Sequence, residues 1–440
     1  MLDKSSIIKL IRDFHESPLP LPIFKREIEI PLDISIKRAV TIIGPRRAGK
    51  SYLLLYTIKK ILERGVDKNN ILYINFEDTS FENAEHAELD GVIETYFGLY
   101  PTKRNEKLWL FFDEIQEIDR WEKFVRSTID KINAQIFITG SSSKLLSKEI
   151  ATAMRGRTIS YRLLTLDFLE FLEFNGIRFN YTLSSTEESK IVKAATEYLK
   201  FGGYPEVALY KRERERILRE LLDVTLQRDI VERYKVRNIK VLRLLIKTIA
   251  ASSEFSIHKF FNFLKSNGYK VSKNTLYSYV QALVDAFLVE ELKKYSRSLR
   301  AREQSVSKLY MLDNGLLSVN GASEGKLFEN AVFNTLYRMD NIELSYYRDQ
   351  SIEVDFVVSE KDAIKALVQA SYNISDYTTR ERELKALVGA AGKLNCSNLY
   401  LVNLNEDKVE HYKGQKIMIL PLWKFMLRRK FRLTGASTTK

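Results

Sequence analysis

The stretch Gly44-Pro45-Arg46-Arg47-Ala48-Gly49-Lys50-Ser51 follows the apolar run Ala39-Val40-Thr41-Ile42-Ile43 and precedes Tyr52-Leu53-Leu54-Leu55-Tyr56. No other segment restricts the fold so tightly. The spacing G-x-x-x-x-G-K-S is that of a phosphate-binding loop. Gly44 and Gly49 let the backbone curl so that its N–H groups point at a polyphosphate. Lys50 reaches the terminal phosphates. Ser51 offers a hydroxyl to a divalent cation and opens a helix whose positive end faces the anion. The expected contact set is Gly44, Pro45, Arg46, Arg47, Ala48, Gly49, Lys50, Ser51 and Tyr52. The flanks predict a buried strand over 39–43 and a helix from Tyr52 to Glu63, the strand–loop–helix setting the loop requires.

A hydrolytic loop of this kind needs a carboxylate at the end of another buried strand. Leu108-Trp109-Leu110-Phe111-Phe112 is a continuous apolar run, as in a parallel strand covered on both faces. Asp113 and Glu114 follow at its carboxyl end, where α/β sheets place ligand groups. Asp113 is expected to hold Mg²⁺ together with Ser51, and Glu114 to polarise an attacking water. The ligand this predicts is a nucleoside triphosphate. Ile71–Phe76 and Ala134–Thr139 read as two more strands of the sheet. Arg157 is a candidate to stabilise transition-state charge, in its own or a neighbouring subunit, so an oligomer is compatible with the reading.

The runs GPRRAGKS, YINFED, FFDEIQEIDRWE, FITGSSSKLLSKEIATAMRGR, LDFLEFLEF and GGYPEV, taken in order, resemble a large archaeal and bacterial family of AAA+/STAND-like ATPases. The resemblance covers nearly the whole chain. It implies an ATPase core joined to a winged-helix region and a C-terminal domain whose role the family does not define. It also implies a polar sensor residue near the γ-phosphate at the end of the Ala134–Thr139 strand, at Thr139 or Ser141.

Beyond Thr158 the strand pattern is expected to stop and helices to begin. LDFLEFLEF, Thr186–Lys200 and Ala208–Tyr234 read as amphipathic helices of a lid, with Gly202-Gly203-Tyr204-Pro205 turning between two of them. The alternating charges of Lys211–Arg216 read as a solvated helix face. Helices over 239–251, 257–266 and 272–286, then strands over 288–295 and 308–312, describe a winged helix. Lys270, Lys273, Lys293, Lys294, Arg297 and Arg300 are its candidate contacts to the phosphates of double-stranded DNA.

Farther on, Glu329, Asp355 and Gln369 stand in the order of a restriction-endonuclease-like core, PD-(D/E)XK, which the segment resembles. The lysine of that pattern falls on Ser371, and Lys365 lies too far along the same strand to replace it. A nuclease-like fold without nuclease activity is expected.

Composition supplies the remaining limits. At 440 residues with 45% apolar content the chain can bury several cores. Its single cysteine, Cys396, excludes an internal disulfide and suits a reducing cytoplasm. No apolar run nears the roughly 20 residues of a membrane span, and the first residues lack a signal peptide's apolar block. A formal charge of +13 favours polyanionic partners.

The expected class is α/β: a parallel P-loop sheet, a helical lid, a winged helix and a C-terminal α/β domain. The expected divisions are 1–35, an ATPase core over 36–165, a lid over 166–235, a winged helix over 236–318, a nuclease-like domain over 319–433 and a tail. The expected function is Mg-ATP hydrolysis coupled to the later domains. ATP-dependent DNA processing and a non-hydrolysing switch that recruits a protein are the alternatives.

Overall fold

The computed structural model describes residues 3–82, 84–140, 154–179, 183–252, 254–350 and 352–428. Ser141 and the tail after Leu433 lie outside them. The chain divides into two compact units, 1–165 with 285–287, and 166–284 with 288–440.

The first unit opens with α1 (Lys4–Glu16), whose Asp3 side chain accepts from the N–H groups of Ser5 and Ser6 and so satisfies two donors at the helix start. It continues through β1 (Ala39–Ile43), α2 (Lys50–Glu63), β2 (Ile71–Asn75), α3 (Asp90–Leu99), β3 (Leu108–Asp113), α4 (Trp121–Lys131), β4 (Ala134–Gly140) and β5 (Thr158–Arg162). The five strands pair in the order β2-β3-β4-β1-β5, every pair parallel. Phe111 and Phe137 stack across β3 and β4 with ring centroids 4.7 Å apart, in a core shared with Val40, Ile42, Leu54 and Ile58. The parallel order puts the carboxyl ends of β1, β3 and β4 at one edge.

β5 corrects the expectation that the sheet ends before Thr158. Its sequence Thr-Ile-Ser-Tyr-Arg is short and only partly buried, so it has no continuous apolar run to reveal it. It is an edge strand, held in register by β1 from Ala39↔Thr158 to Ile43↔Arg162.

The second unit begins with α5 (Phe168–Phe174), α6 (Ser185–Phe201), α7 (Pro205–Leu209) and α8 (Arg214–Val224), which runs on as a π-helix over Thr225–Glu232. Asp167 and Ser184 close capping boxes at α5 and α6. Arg214 departs from the solvated face expected of its segment. Its guanidinium is buried, bonds Val207 O at 3.0 Å and Glu197 at 3.0 Å, and lies over the Phe201 ring. Then come α9 (Ile239–Ala251), α10 (Ile257–Ser266), α11 (Lys273–Asp285) and an antiparallel pair, β6 (Val289–Leu292) and β7 (Lys308–Met311), with α12 (Leu299–Glu303) between them.

After α13 (Asn314–Val319) and α14 (Glu324–Tyr337), a six-stranded mixed sheet forms from β8 (Glu343–Asp349), β9 (Ile352–Glu360), β10 (Ala363–Ala370), β11 (Leu399–Asn403), β12 (Lys408–Tyr412) and β13 (Gln415–Pro421). Its order is β12-β13-β11-β10-β9-β8, with α15 (Tyr377–Leu394) packed on it and α16 (Leu422–Met426) closing the described chain.

Buried polar bonds tie the parts of the second unit together. The Asp313 carboxylate accepts from the N–H groups of Gly203 and Gly315, both at 2.8 Å. The Asn314 amide donates to Leu199 O and Leu327 O, both at 2.9 Å. A Cβ on Gly202 would stand 2.1 Å from Asp313 Oδ1, and one on Gly203 2.1 Å from Leu166 O. The Gly-Gly pair is thus required by close approach as well as by the turn. The divisions anticipated at 235 and 318 both fall inside this unit.

Candidate nucleotide site

The loop between β1 and α2 is shaped by its glycines. Gly49, at φ 98°, caps α2 in the left-handed region. A Cβ on Gly44 would lie 1.9 Å from Leu163 O, so only glycine passes there without moving the backbone. Leu163 N–H in turn donates to Ile43 O at 2.7 Å, which locks the loop's entry against the residue after β5. Arg26, buried and not singled out by sequence, donates to Ala48 O at 2.7 Å and Leu164 O at 2.8 Å. It braces the loop from beneath. Nothing local marks it, because its partners come from distant parts of the chain.

Lys50 is only 3% exposed. Its Nζ lies 3.3 Å from Pro45 O and 3.2 Å from Glu114 Oε1. Asp113 ends β3 beside it. Asp113 Oδ2 accepts from the Tyr73 hydroxyl at 2.8 Å, and Oδ1 accepts from the Thr139 hydroxyl. Thr139 Oγ1 also accepts from Glu114 N–H at 2.9 Å, so one side chain on β4 positions both acidic residues. Glu114 holds a left-handed backbone, φ 48°, and Gln116 donates to its Oε2 at 2.6 Å. Such strain in a non-glycine residue persists only where the surroundings enforce it.

Electrostatics separates the two carboxyls. Burial pushes Asp113 upward, opposed by hydrogen bonds from Thr139, Ser51 and Tyr73. Burial pushes Glu114 upward too, but the Lys50 charge and the bonds from Gln116 and Lys50 outweigh it, holding that carboxyl below its ordinary value. Hard oxygen donors from Ser51 and Asp113, next to a cationic Lys50 and a glycine-shaped loop, suit a divalent ion and a polyphosphate.

The structure therefore brings together Lys50, Ser51, Asp113, Glu114 and Thr139. Arg46 stands at the rim, 3.4 Å from Glu77. Tyr52 is 55% exposed on the first turn of α2, in contact with solvent rather than packed into the loop.

Arg157 is not brought to the loop within this chain. Its carbonyl pairs with Ala39 N–H, at the start of β1, and its Nη1 binds Asp130 at 2.7 and 2.6 Å. That end of β1 is about 17 Å from Gly44 along an extended strand. In-chain action on the phosphate is thereby corrected. The parallel pairing of β5 with β1 sends residue 157 to the amino end of the sheet.

In the second unit Glu329 on α14, Asp355 on β9 and Gln369 on β10 line one cavity of about 1000 Å³, together with Glu353 and Glu383. Ser371 carries no charge, and Lys365 is engaged elsewhere, 3.5 Å from Glu360.

A family model described as an AAA domain matches residues 36–172, and two models of domains of unknown function (DUF8612 and DUF4143) match 192–324 and 324–425. The uncharacterized protein MJ1544 of Methanocaldococcus jannaschii is 37% identical, over 97% of this chain and 96% of its own. An uncharacterized protein of Haemophilus influenzae is 29% identical, over 83% and 90%. Among solved structures, a Walker-type ATPase of Pyrococcus abyssi is similar at 14% identity and a TM-score of 0.44, covering 73% of this chain and 96% of its own. With the P-loop, the acidic strand end and the parallel sheet in place, the chain belongs to the family of MJ1544, built on an AAA-type P-loop ATPase domain.

Proposed function

We propose that the protein binds and hydrolyses Mg-ATP at the loop between β1 and α2. The observation that carries this reading is the convergence of Lys50, Asp113, Glu114 and Thr139 at the carboxyl ends of β1, β3 and β4. Backbone N–H groups of the loop cradle the phosphates, and Lys50 turns from Glu114 to their terminal oxygens. Ser51 and Asp113 would hold Mg²⁺, which neutralises charge on the phosphates. Glu114, kept ionised, accepts a hydrogen bond from the attacking water and orients it. Thr139 fixes the direction of both acidic residues. Arg157 can serve only a site on another copy of the chain. The whole is read as a cytoplasmic ATPase whose nucleotide state acts on the second unit. Among the described residues no helix is long and apolar enough to cross a membrane.

A second reading, contact with double-stranded DNA, is favoured by the outward face of α11. Asn274, Tyr277 and Ser278 are exposed on its first turns, after exposed Lys270 and near exposed Arg297 and Arg300 in chain order. Three helices followed by a hairpin describe a winged helix, and in its DNA-binding use the third helix enters the major groove. Phosphate release from ATP, measured with Mg²⁺ alone and with single- or double-stranded DNA, tests both readings. Tight ATP binding with no turnover under any condition would sink hydrolysis and leave a nucleotide-gated switch. Turnover indifferent to DNA, with no complex at low salt, would remove the second reading.

A further inference from the structure

The acidic groups of the C-terminal cavity surround a lysine that the sequence comparison did not connect with them. Lys308 opens β7, far from Glu353 and Asp355 in sequence, and its side chain is only 3% exposed. Its Nζ lies 2.9 Å from Glu353, 3.2 Å from Asp355 Oδ1 and 3.9 Å from Glu329 Oε1. The ring of Tyr346 closes another side, with its centroid 5.4 Å from Nζ. A cation held by three carboxylates, two from β9 and one from α14, is the arrangement of a divalent metal site, enlarged from the roughly 2.0–2.6 Å of metal–oxygen bonds to ammonium distances.

The surrounding groups are committed to this arrangement. Asp355 Oδ2 accepts from Ala370 N–H at 3.1 Å. Glu329 Oε1 accepts from the Tyr310 hydroxyl at 2.6 Å. Gln369 Oε1 accepts from Asp355 N–H at 3.2 Å, and its Nε2 donates to Glu383 at 2.6 Å, which turns the amide away from Lys308. A second lysine, Lys326 on α14, is buried beside the cluster. It is 6% exposed, has no hydrogen-bond partner among the described residues and lies 4.8 Å from the Tyr310 ring centroid. Burial lowers the Lys326 pKa to about 8, whereas the carboxylates outweigh burial at Lys308 and raise it, so Lys308 is the charge they hold. A divalent ion seated among the same oxygens would meet Lys308 at contact distance, where repulsion between like charges in a water-poor site is large.

We propose that Lys308 is the resident cation of this pocket, occupying the position among Glu329, Glu353 and Asp355 that a divalent metal would otherwise take. The pocket accepts a divalent ion only when that ammonium is removed. The C-terminal domain on this account keeps the carboxylates of a metal site as a salt-bridged core of the fold. This does not rest on the ATPase reading.

The test is Mn²⁺ binding to the full-length, nucleotide-free chain, followed by electron paramagnetic resonance. All proteins carry Asp113→Asn to silence the P-loop. The chain with Lys308 intact is expected to bind no equivalent of Mn²⁺. Lys308→Met, which keeps the length of the side chain, should bind one equivalent. Adding Asp355→Asn should abolish that binding. One equivalent bound with Lys308 present overturns the proposal. So does a folded Lys308→Met protein that ignores Mn²⁺. Should Lys308→Met not fold, Lys308→Gln, which retains a donor, takes its place. One equivalent bound with Lys308 present refutes the proposal without either variant.

Discussion

Lys50 Nζ and Glu114 Oε1 are 3.2 Å apart, so the lysine and the carboxylate neutralise one another in a buried pocket. On the proposed reading, phosphate takes Lys50 from Glu114 before either acts. Lys50→Ala should lose nucleotide affinity and turnover together. Glu114→Gln frees Lys50 while removing the anionic acceptor. ATP should bind at least as tightly, with turnover down by about 10²–10⁴. Calorimetric titration with phosphate-release kinetics checks this. Equal loss of binding in both variants would make the pair merely structural.

Thr139 donates to Asp113 and accepts from Glu114 N–H. Thr139→Val preserves shape and removes both bonds. Stranding these buried polar groups should cost about 1–3 kcal/mol. Turnover should fall with little change in ATP affinity, and Thr139→Ser should restore most of it. A Thr139→Val enzyme with parental turnover would show that Glu114 holds its left-handed backbone unaided.

His15 predicts a pH dependence. Its Nε2 lies 2.8 Å from Ile71 O, its Nδ1 2.9 Å from the Tyr100 hydroxyl, and burial depresses its pKa. The unfolded chain therefore takes up a proton near pH 6.5 that the folded chain resists. The contribution of His15 to stability is complete above about pH 6.5 and is lost as the pH falls below it. Urea midpoints should drop between about pH 7 and pH 5, and His15→Gln should flatten that trend. An unchanged slope in the variant would assign the acid sensitivity to other groups.

For DNA, the test is ionic strength. Lys273 sits at the start of α11 with its Nζ 2.8 Å from His258 Nδ1, and Lys294 lies just after β6. If this region grips a duplex, affinity should fall steeply with salt in a gel-shift titration. Lys273→Gln or Lys294→Gln should reduce the slope of log K against log salt by about 1 each. Slopes indifferent to both changes would place the contact on another face.

What the sequence determined by itself was local. The P-loop, the strand that delivers Asp113 and Glu114, and the helices over 239–251 and 257–266 are written in consecutive residues. Their turn chemistry and apolar runs act over one element, so spacing alone identifies them. The order of the strands, with β4 between β3 and β1, came only from the pairing in the structure.

Only the tertiary structure decided which charges meet. Arg157 went to the amino end of β1, to Asp130, because β5 pairs parallel with β1 at the edge of the sheet. β5 itself escaped notice because a half-exposed edge strand needs no apolar run. Arg26 reached Ala48 and Leu164 across long stretches of chain. Ser371 left the C-terminal carboxylates without the expected lysine, yet packing β7 against β9 and α14 supplied Lys308 from elsewhere. A charge has no periodicity that names its partner. Its partner is set by the burial of apolar faces around it, which excludes water and obliges each buried ion to find an opposite one.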